Sequence, residues 1–260
     1  MKFTEVNKNN FFLQIQKLKS VQNEFFKKYN VNDILSNSKI FEILIANELS
    51  HILIPGHSGS RDAKDNENNL YEYKHFKETS SNHSWTFNDF SDTTINKLID
   101  TKSVIFAHID DTLSISNKFL LDWYYEVSGK TMSSYLTEKV KKIQNTRKMI
   151  NVSSNQIEKN LNIFKTKLKN ENTNGSYYKD LDKIYNVIKE IEKISNVKNI
   201  LTSNKIWEVV TSVHLNHNVN SEQGGRKGSH DAYDKMGNEY EYKISKNKSW
   251  NFQDISVNVL

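Results

Sequence analysis

Two stretches of this chain place an aspartate, a glutamate and a lysine at identical spacing. Asp62, Glu72 and Lys74 lie in SGSRDAKDNENNLYEYK (58–74), and Asp231, Glu241 and Lys243 lie in KGSHDAYDKMGNEYEYK (227–243). In both, the glutamate follows the aspartate by 10 residues and the lysine by 12. Each stretch reads as a hairpin, the first with the polar, turn-prone tip Asn66-Glu67-Asn68. If that turn centres on residue 67, cross-strand partners sum to 134 and Asp62 faces Glu72; Asp231 and Glu241 sum to 472, centred on Met236. Directly opposed Cβ atoms lie about 4.5–5.5 Å apart, where two carboxylates repel unless a positive charge sits between them. A divalent metal meets that need. Period-2 alternation puts Glu72 and Lys74 on one strand face, with the lysine roughly 6–7 Å beyond the glutamate, and Tyr71 and Tyr73 on the other.

Such a trio suits phosphodiester hydrolysis: carboxylates offer hard oxygens to Mg²⁺, which polarises the phosphate and acidifies a water that the lysine orients or deprotonates. Glu42, matched by Glu208 in the second copy, is a further candidate metal ligand or a support for the lysine. For a single copy the alternative is a hairpin whose charges simply face water. Recurrence at unchanged spacing argues against it.

The elements that must position these residues recur as well. SNSKIFEIL (36–44) precedes the first trio and SWTFNDFS (84–91) follows it; TSNKIWEVV (202–210) and SWNFQDIS (249–256) hold the same places around the second. Insertions fall between blocks, as loops allow. Residues 8–29 carry Phe11, Ile15, Leu18, Val21 and Phe25 at helical spacing, and 177–195 carry Tyr178, Leu181, Ile184, Ile188 and Ile191 likewise, so a helix precedes each copy. A second amphipathic helix starts at Ser38 and ends before Pro55-Gly56. After the hairpin, the first copy continues with a short helix around Thr93–Ile99, apolar strands at Val104–Ile109 and Trp123–Val127, and a lysine-rich helix from Ser133. The second copy has no counterparts of these strands. Residues 1–150 therefore read as a first copy with its leading helix, 151–195 as a helical linker, and 196–260 as a second, incomplete copy.

In the last block Trp85, Phe87 and Phe90, like Trp250, Phe252 and Ile255, are most simply core residues. The interleaved Asn88, Asp89, Gln253 and Asp254 carry groups that pair with adenine or accept from cytosine N4, which makes them candidates for reading bases.

Composition narrows the classes. With no cysteine, disulfide frameworks, thiolate zinc sites, iron–sulfur clusters and cysteine nucleophiles are all excluded. A net charge of +5 permits nucleic-acid binding without requiring it. The polar start, MKFTEVNKNN, and the lack of a long apolar run leave no signal peptide or membrane span, so a cytoplasmic address is expected. Ser128-Gly129-Lys130-Thr131 ends like a phosphate-binding loop, but Tyr124 stands where that loop needs glycine. His214 and His217 have the spacing of a helical metal pair, yet no third ligand is evident and exposed or capped histidines explain them more simply; Lys139–Lys148 reads as a solvated helix face or, alternatively, a phosphate-contacting one.

The stretch VNDILSNSKIFEILI, then LIPGHSGSRDAKDNENNLYEYK, a SWTF block and VIFAHID, resembles the PvuII-like branch of the PD-(D/E)xK restriction endonucleases over about residues 31–130 and again over 197–260. The resemblance implies an α/β fold, a restriction-endonuclease-like mixed central sheet flanked by helices, here with an internal partial repeat. It implies Mg²⁺ bound by Asp62 and Glu72, and by Asp231 and Glu241, with Lys74 and Lys243 assisting the water. The implied activity is that of a type II restriction endonuclease acting on a short specific sequence of double-stranded DNA. Such enzymes are usually dimers, so a homodimer or an intramolecular pseudo-dimer is expected, together with a companion DNA methyltransferase. The family's histidine-containing recognition stretch is replaced by TFNDF and NFQDI, so the target must differ from the namesake's. Rival readings are a repair or recombination nuclease on the same fold, and a DNA-binding module without catalysis.

Overall fold

An eight-residue run, Ser103–Asp110, is buried along its whole length except at its last residue. Strands covered on both faces read this way, and this one is central to the sheet that carries the first trio. The structure is a computed structural model that describes residues 5–31, 34, 39–55, 61–88, 91–112, 119–143, 149–169, 176–198, 200, 205–220 and 230–245. In chain order its elements are α1 (Glu5–Tyr29), α2 (Lys39–Glu48), β1 (Ile52–Leu53), β2 (Ala63–Lys64), β3 (Leu70–Lys77), β4 (Trp85–Phe87), α3 (Asp92–Lys97) running into a 3₁₀ turn (Leu98–Asp100), β5 (Ser103–Asp110), β6 (Leu120–Ser128), α4 (Gly129–Val140), β7 (Ile150–Val152), α5 (Ser154–Leu161), β8 (Thr166–Lys167), α6 (Ser176–Ser195), α7 (Lys205–Leu215), β9 (Asn218–Val219), β10 (Ala232–Tyr233) and β11 (Glu239–Tyr240). The chain is thus mixed α/β. Among the described residues no helix is long and apolar enough to cross a membrane.

The chain divides into two units, Gln22–Asp182 and Met1–Val21 with Lys183–Leu260. The first holds a mixed six-stranded sheet in the order β1-β2-β3-β5-β6-β8, with β3 and β5 parallel and the other neighbours antiparallel. One core of this unit joins Phe76 of β3, Phe106 of β5 and Tyr125 of β6 to Trp85 and Phe87 of β4 and Leu136 of α4. The Trp85 indole donates to the Ala107 carbonyl at 2.9 Å, which satisfies its one polar atom inside the core. The SWTF aromatics Trp85 and Phe87 are therefore core residues, at 0% and 1% exposure. Six of the ten α2 residues are buried, all apolar. In the second unit α7 buries Ile206, Val209 and Val213, and the three-stranded sheet runs β11-β10-β9.

Helix ends follow from the composition. Asn30, Asn162, Asn196 and Asn216, with Ser50, hold positive φ of 54–59° just beyond α1, α5, α6, α7 and α2. With eight glycines in the chain, asparagine takes the left-handed cap that glycine usually fills.

The Ser-Gly-Lys-Thr segment proves to be a packing device. The helix expected from Ser133 begins at Gly129, because the Ser128 hydroxyl accepts from the Thr131 N–H at 3.2 Å and caps it earlier. A Cβ on Gly129 would stand 2.1 Å from the carbonyl oxygens of both Leu98 and Thr101. Backbone cannot yield as a flexible side chain can. Gly129→Ala should therefore lower stability by about 2–3 kcal/mol, read as a drop in urea midpoint at unchanged slope; an unchanged midpoint would show that the turn has slack.

Candidate active site

The hairpins close in the expected register. Ala63 pairs with Tyr71 and Ala232 with Tyr240, so cross-strand partners sum to 134 and 472. Continued by one residue, the first register sets Asp62 opposite Glu72. The turn is fixed by an aspartate to which the sequence reading assigned no role. Asp65 Oδ1 accepts the N–H groups of Glu67 and Asn69, each at 2.9 Å, and Oδ2 accepts from the Asn69 amide and the Tyr71 hydroxyl. Asp234 does the same with Met236, Asn238 and Tyr240. These donors, the Asn69 and Asn238 amides foremost, hold the Asp65 carboxyl well below its ordinary range and Asp234 at about 2.

Above the turn the acidic residues gather. Asp62 Oδ2 accepts the Tyr73 N–H at 2.6 Å, tying its carboxylate to the strand that carries the other two residues. Lys74 Nζ lies 2.6 Å from Glu72 Oε1, with side-chain exposures of 22% and 20%, and 5.3 Å from the centre of the Phe87 ring. Glu42, on α2, lies within electrostatic reach of Lys74 and Glu72, and it pairs with Lys39 at 2.5 Å. On the opposite face of β3, Tyr71 and Tyr73 are buried against His51, whose Nδ1 meets the Tyr73 hydroxyl at 2.7 Å and whose ring stacks on Tyr71 at 4.0 Å. The expected split of faces holds.

Burial pushes the Asp62 carboxyl up to about 7, and the nearby Glu72 and Glu42 push the same way against Lys74. Burial also raises Glu42, opposed by Lys39. For Lys74, burial works against the charge, but Glu72 and Asp62 outweigh it and the ammonium is held more firmly than usual. Three carboxylates thus repel one another in a poorly solvated corner. Hard oxygen donors under mutual repulsion are of the kind whose charge a small divalent cation would relieve. Among the described residues no three His, Asp or Glu side chains already close on one point as a metal cluster, and the ammoniums of Lys74 and Lys39 meet the two glutamates instead.

The second trio repeats these bonds in a more open setting. Asp231 Oδ2 accepts the Tyr242 N–H at 2.6 Å, Lys243 meets Glu241 at 2.8 Å, and Lys205 pairs with Glu208. Burial raises Glu208, opposed by the hydrogen bond from Lys205, and the bond to Glu241 raises Lys243. Yet Lys243 and Glu241 are 38% and 56% exposed. β3 is eight residues long and flanked by β2 and β5, whereas β11 has two residues and pairs, among the described residues, with β10 alone.

Of the proposed base readers, Asn88 is exposed just after β4, while Asp89, Gln253 and Asp254 lie outside the described residues. The helical histidine pair does not form. α7 ends at Leu215, Asn216 turns the chain at φ 59°, and His217 instead bonds the Tyr242 hydroxyl at 2.9 Å and stacks on Tyr240 at 4.2 Å. That is the counterpart of His51. Lys39 with Lys205 and His51 with His217 share the offset of Glu42 and Glu208, so the repeat already marked them. The chain matches no protein-family model and no curated protein.

Proposed function

We propose that this chain is a Mg²⁺-dependent DNA endonuclease of restriction type, hydrolysing phosphodiester bonds at a short specific double-stranded sequence. The observation that carries this reading is the convergence of Glu42, Asp62, Glu72 and Lys74 at the first hairpin, three mutually repelling acids with one lysine held 2.6 Å from a carboxylate. Bound Mg²⁺ would supply Lewis acidity and an acidified water. Asp62, anchored through Oδ2 by the Tyr73 N–H, would be one of the carboxylates that hold the ion. Glu72 and Glu42 complete the acidic side. Lys74, backed by the Phe87 ring and held as an ammonium, would orient the attacking water beside the phosphate and offset the charge that develops there. The mixed sheet, with its acids on a hairpin beside a parallel strand pair, supports a PvuII-like PD-(D/E)xK fold. The matching bonds around Asp231 support reading the second hairpin as a partial repeat. Double-stranded DNA is then the substrate, a homodimer or pseudo-dimer the working form, and a companion DNA methyltransferase the protection of the host.

Incubation of the purified protein with phage DNA and Mg²⁺ tests this reading. Discrete fragments that vanish with EDTA are the expected outcome. Nicks without fixed sequence would point to a repair nuclease, and intact DNA that is nevertheless bound would leave a non-catalytic binding module.

A further inference from the structure

Lys39 belongs to the same buried cluster as the trio, although nothing in the activity proposed above uses it. It sits one helical turn before Glu42 on α2, both side chains are 13% exposed, and they meet at 2.5 Å. The pair recurs as Lys205 and Glu208, where Lys205 also comes within 4.0 Å of Asp231, the counterpart of Asp62 in that copy. An ion pair this buried is a poor way to gain stability, since desolvation opposes the attraction. Its recurrence beside a carboxylate trio calls for another account.

Charge counting supplies one. In their charged forms Asp62, Glu72 and Glu42 with Lys74 and Lys39 sum to −1. A divalent cation brings the site to +1, and a phosphodiester then neutralises it. Without Lys39 the acids and Lys74 sum to −2, the cation alone neutralises them, and the phosphate meets no remaining positive charge. Resting on the metal-dependent reading above, we propose that Lys39 is a second cationic residue of the site, which occupies Glu42 in competition with the divalent cation and, once Glu42 is drawn off, serves the scissile phosphate. Lys39 thereby weakens cation binding and strengthens phosphate binding. A lysine that only screens Glu42 would weaken cation binding without strengthening phosphate binding.

The two effects have opposite signs, which makes the test sharp. Ca²⁺ alone, titrated calorimetrically into the whole chain at pH 8 without DNA, should bind Lys39→Met about tenfold more tightly than the unsubstituted protein. Lys39→Arg, whose guanidinium grips a carboxylate by two parallel bonds, should bind Ca²⁺ several-fold more weakly. At saturating Mg²⁺, Lys39→Met should cleave DNA about 100-fold more slowly. Unchanged or weaker Ca²⁺ binding by a folded Lys39→Met would overturn the inference and leave the nuclease reading intact. Should Lys39→Met fail to fold, Ca²⁺ affinity at or above the unsubstituted level in Lys39→Arg would overturn it equally. No Ca²⁺ binding by the unsubstituted chain, with no Mg²⁺-dependent cleavage, would instead remove the metal-dependent reading and this inference with it.

Discussion

Lys74→Ala is expected to slow Mg²⁺-dependent DNA cleavage by about 10³, whereas Lys243→Ala should leave the rate within a factor of about three. The two lysines share a motif and a glutamate partner, so the difference must come from their surroundings. Lys74 is 22% exposed beside a Glu72 that is 20% exposed, and Phe87 covers it from the side. Lys243 and Glu241 are 38% and 56% exposed. A charge pair shielded from water acts on a reacting phosphate with far greater effect than one in open solvent, where the field is screened and the side chains wander. Position matters as much. Lys74 stands inside the eight-residue β3, which pairs with β2 through Leu70 and Tyr71 and with β5 along its length from Tyr71 on, Lys74 facing Phe106. Lys243 lies three residues beyond the end of β11. Single-turnover cleavage of a supercoiled plasmid, followed from nicked to linear form, reads both effects in one gel. Comparable losses from the two substitutions would mean that the second hairpin is a working centre after all.

The spacing of Asp62, Glu72 and Lys74 foretold both the register and the split of faces, because a two-residue period leaves no freedom once the turn is placed. The central strand was legible for a similar reason: Val104–Ile109 is apolar at nearly every position, and only a strand covered on both sides has use for that. Helix starts were less legible. Ser128 caps α4 five residues ahead of the expected start at Ser133, and nothing in the periodicity of the apolar residues announces a cap. Asp65 escaped because its work is local. Its four hydrogen bonds within the turn involve neighbours two to six residues away, and a charged residue at a hairpin tip reads as solvated until those donors are placed. The place of His217 beyond α7 was not legible, because the left-handed Asn216 that ends the helix looks, in sequence, like any other polar residue. The Lys39–Glu42 pair stands at ordinary i,i+3 spacing, so only its burial sets it apart from a surface pair.

Asp62→Asn should stabilise the protein at pH 8 when divalent cations are withheld, and the gain should shrink steadily as the pH is lowered through 7 toward 5. Burial, with repulsion from Glu72 and Glu42, raises the Asp62 carboxyl from its ordinary value near 4 to about 7 in the folded chain. A carboxyl raised on folding binds its proton more tightly in the folded state, so its favourable contribution is complete below the unfolded value and is lost as the pH climbs through the folded one. By pH 8 that loss amounts to about 3–4 kcal/mol, a sizeable part of the stability of a typical domain. Asparagine keeps an oxygen for the Tyr73 N–H but carries no charge, so it escapes the loss. Only the difference between the two proteins isolates this effect. Burial lowers His75 to about 4, with Lys74 and Lys39 acting in the same direction, and a histidine held neutral makes the folded state lose ground at acid pH in both chains. Thermal melts of the two proteins from pH 5 to 8 in EDTA supply that difference. Melts in Ca²⁺ add the complementary arm: the cation should raise the midpoint of the unsubstituted protein most at pH 8 and shift Asp62→Asn little, because the substitution removes both the repulsion and a ligand. A difference that stays flat with pH would mean that Asp62 is already ionised and solvated at pH 5, and the crowded acidic corner would no longer support the proposal that this site takes a cation.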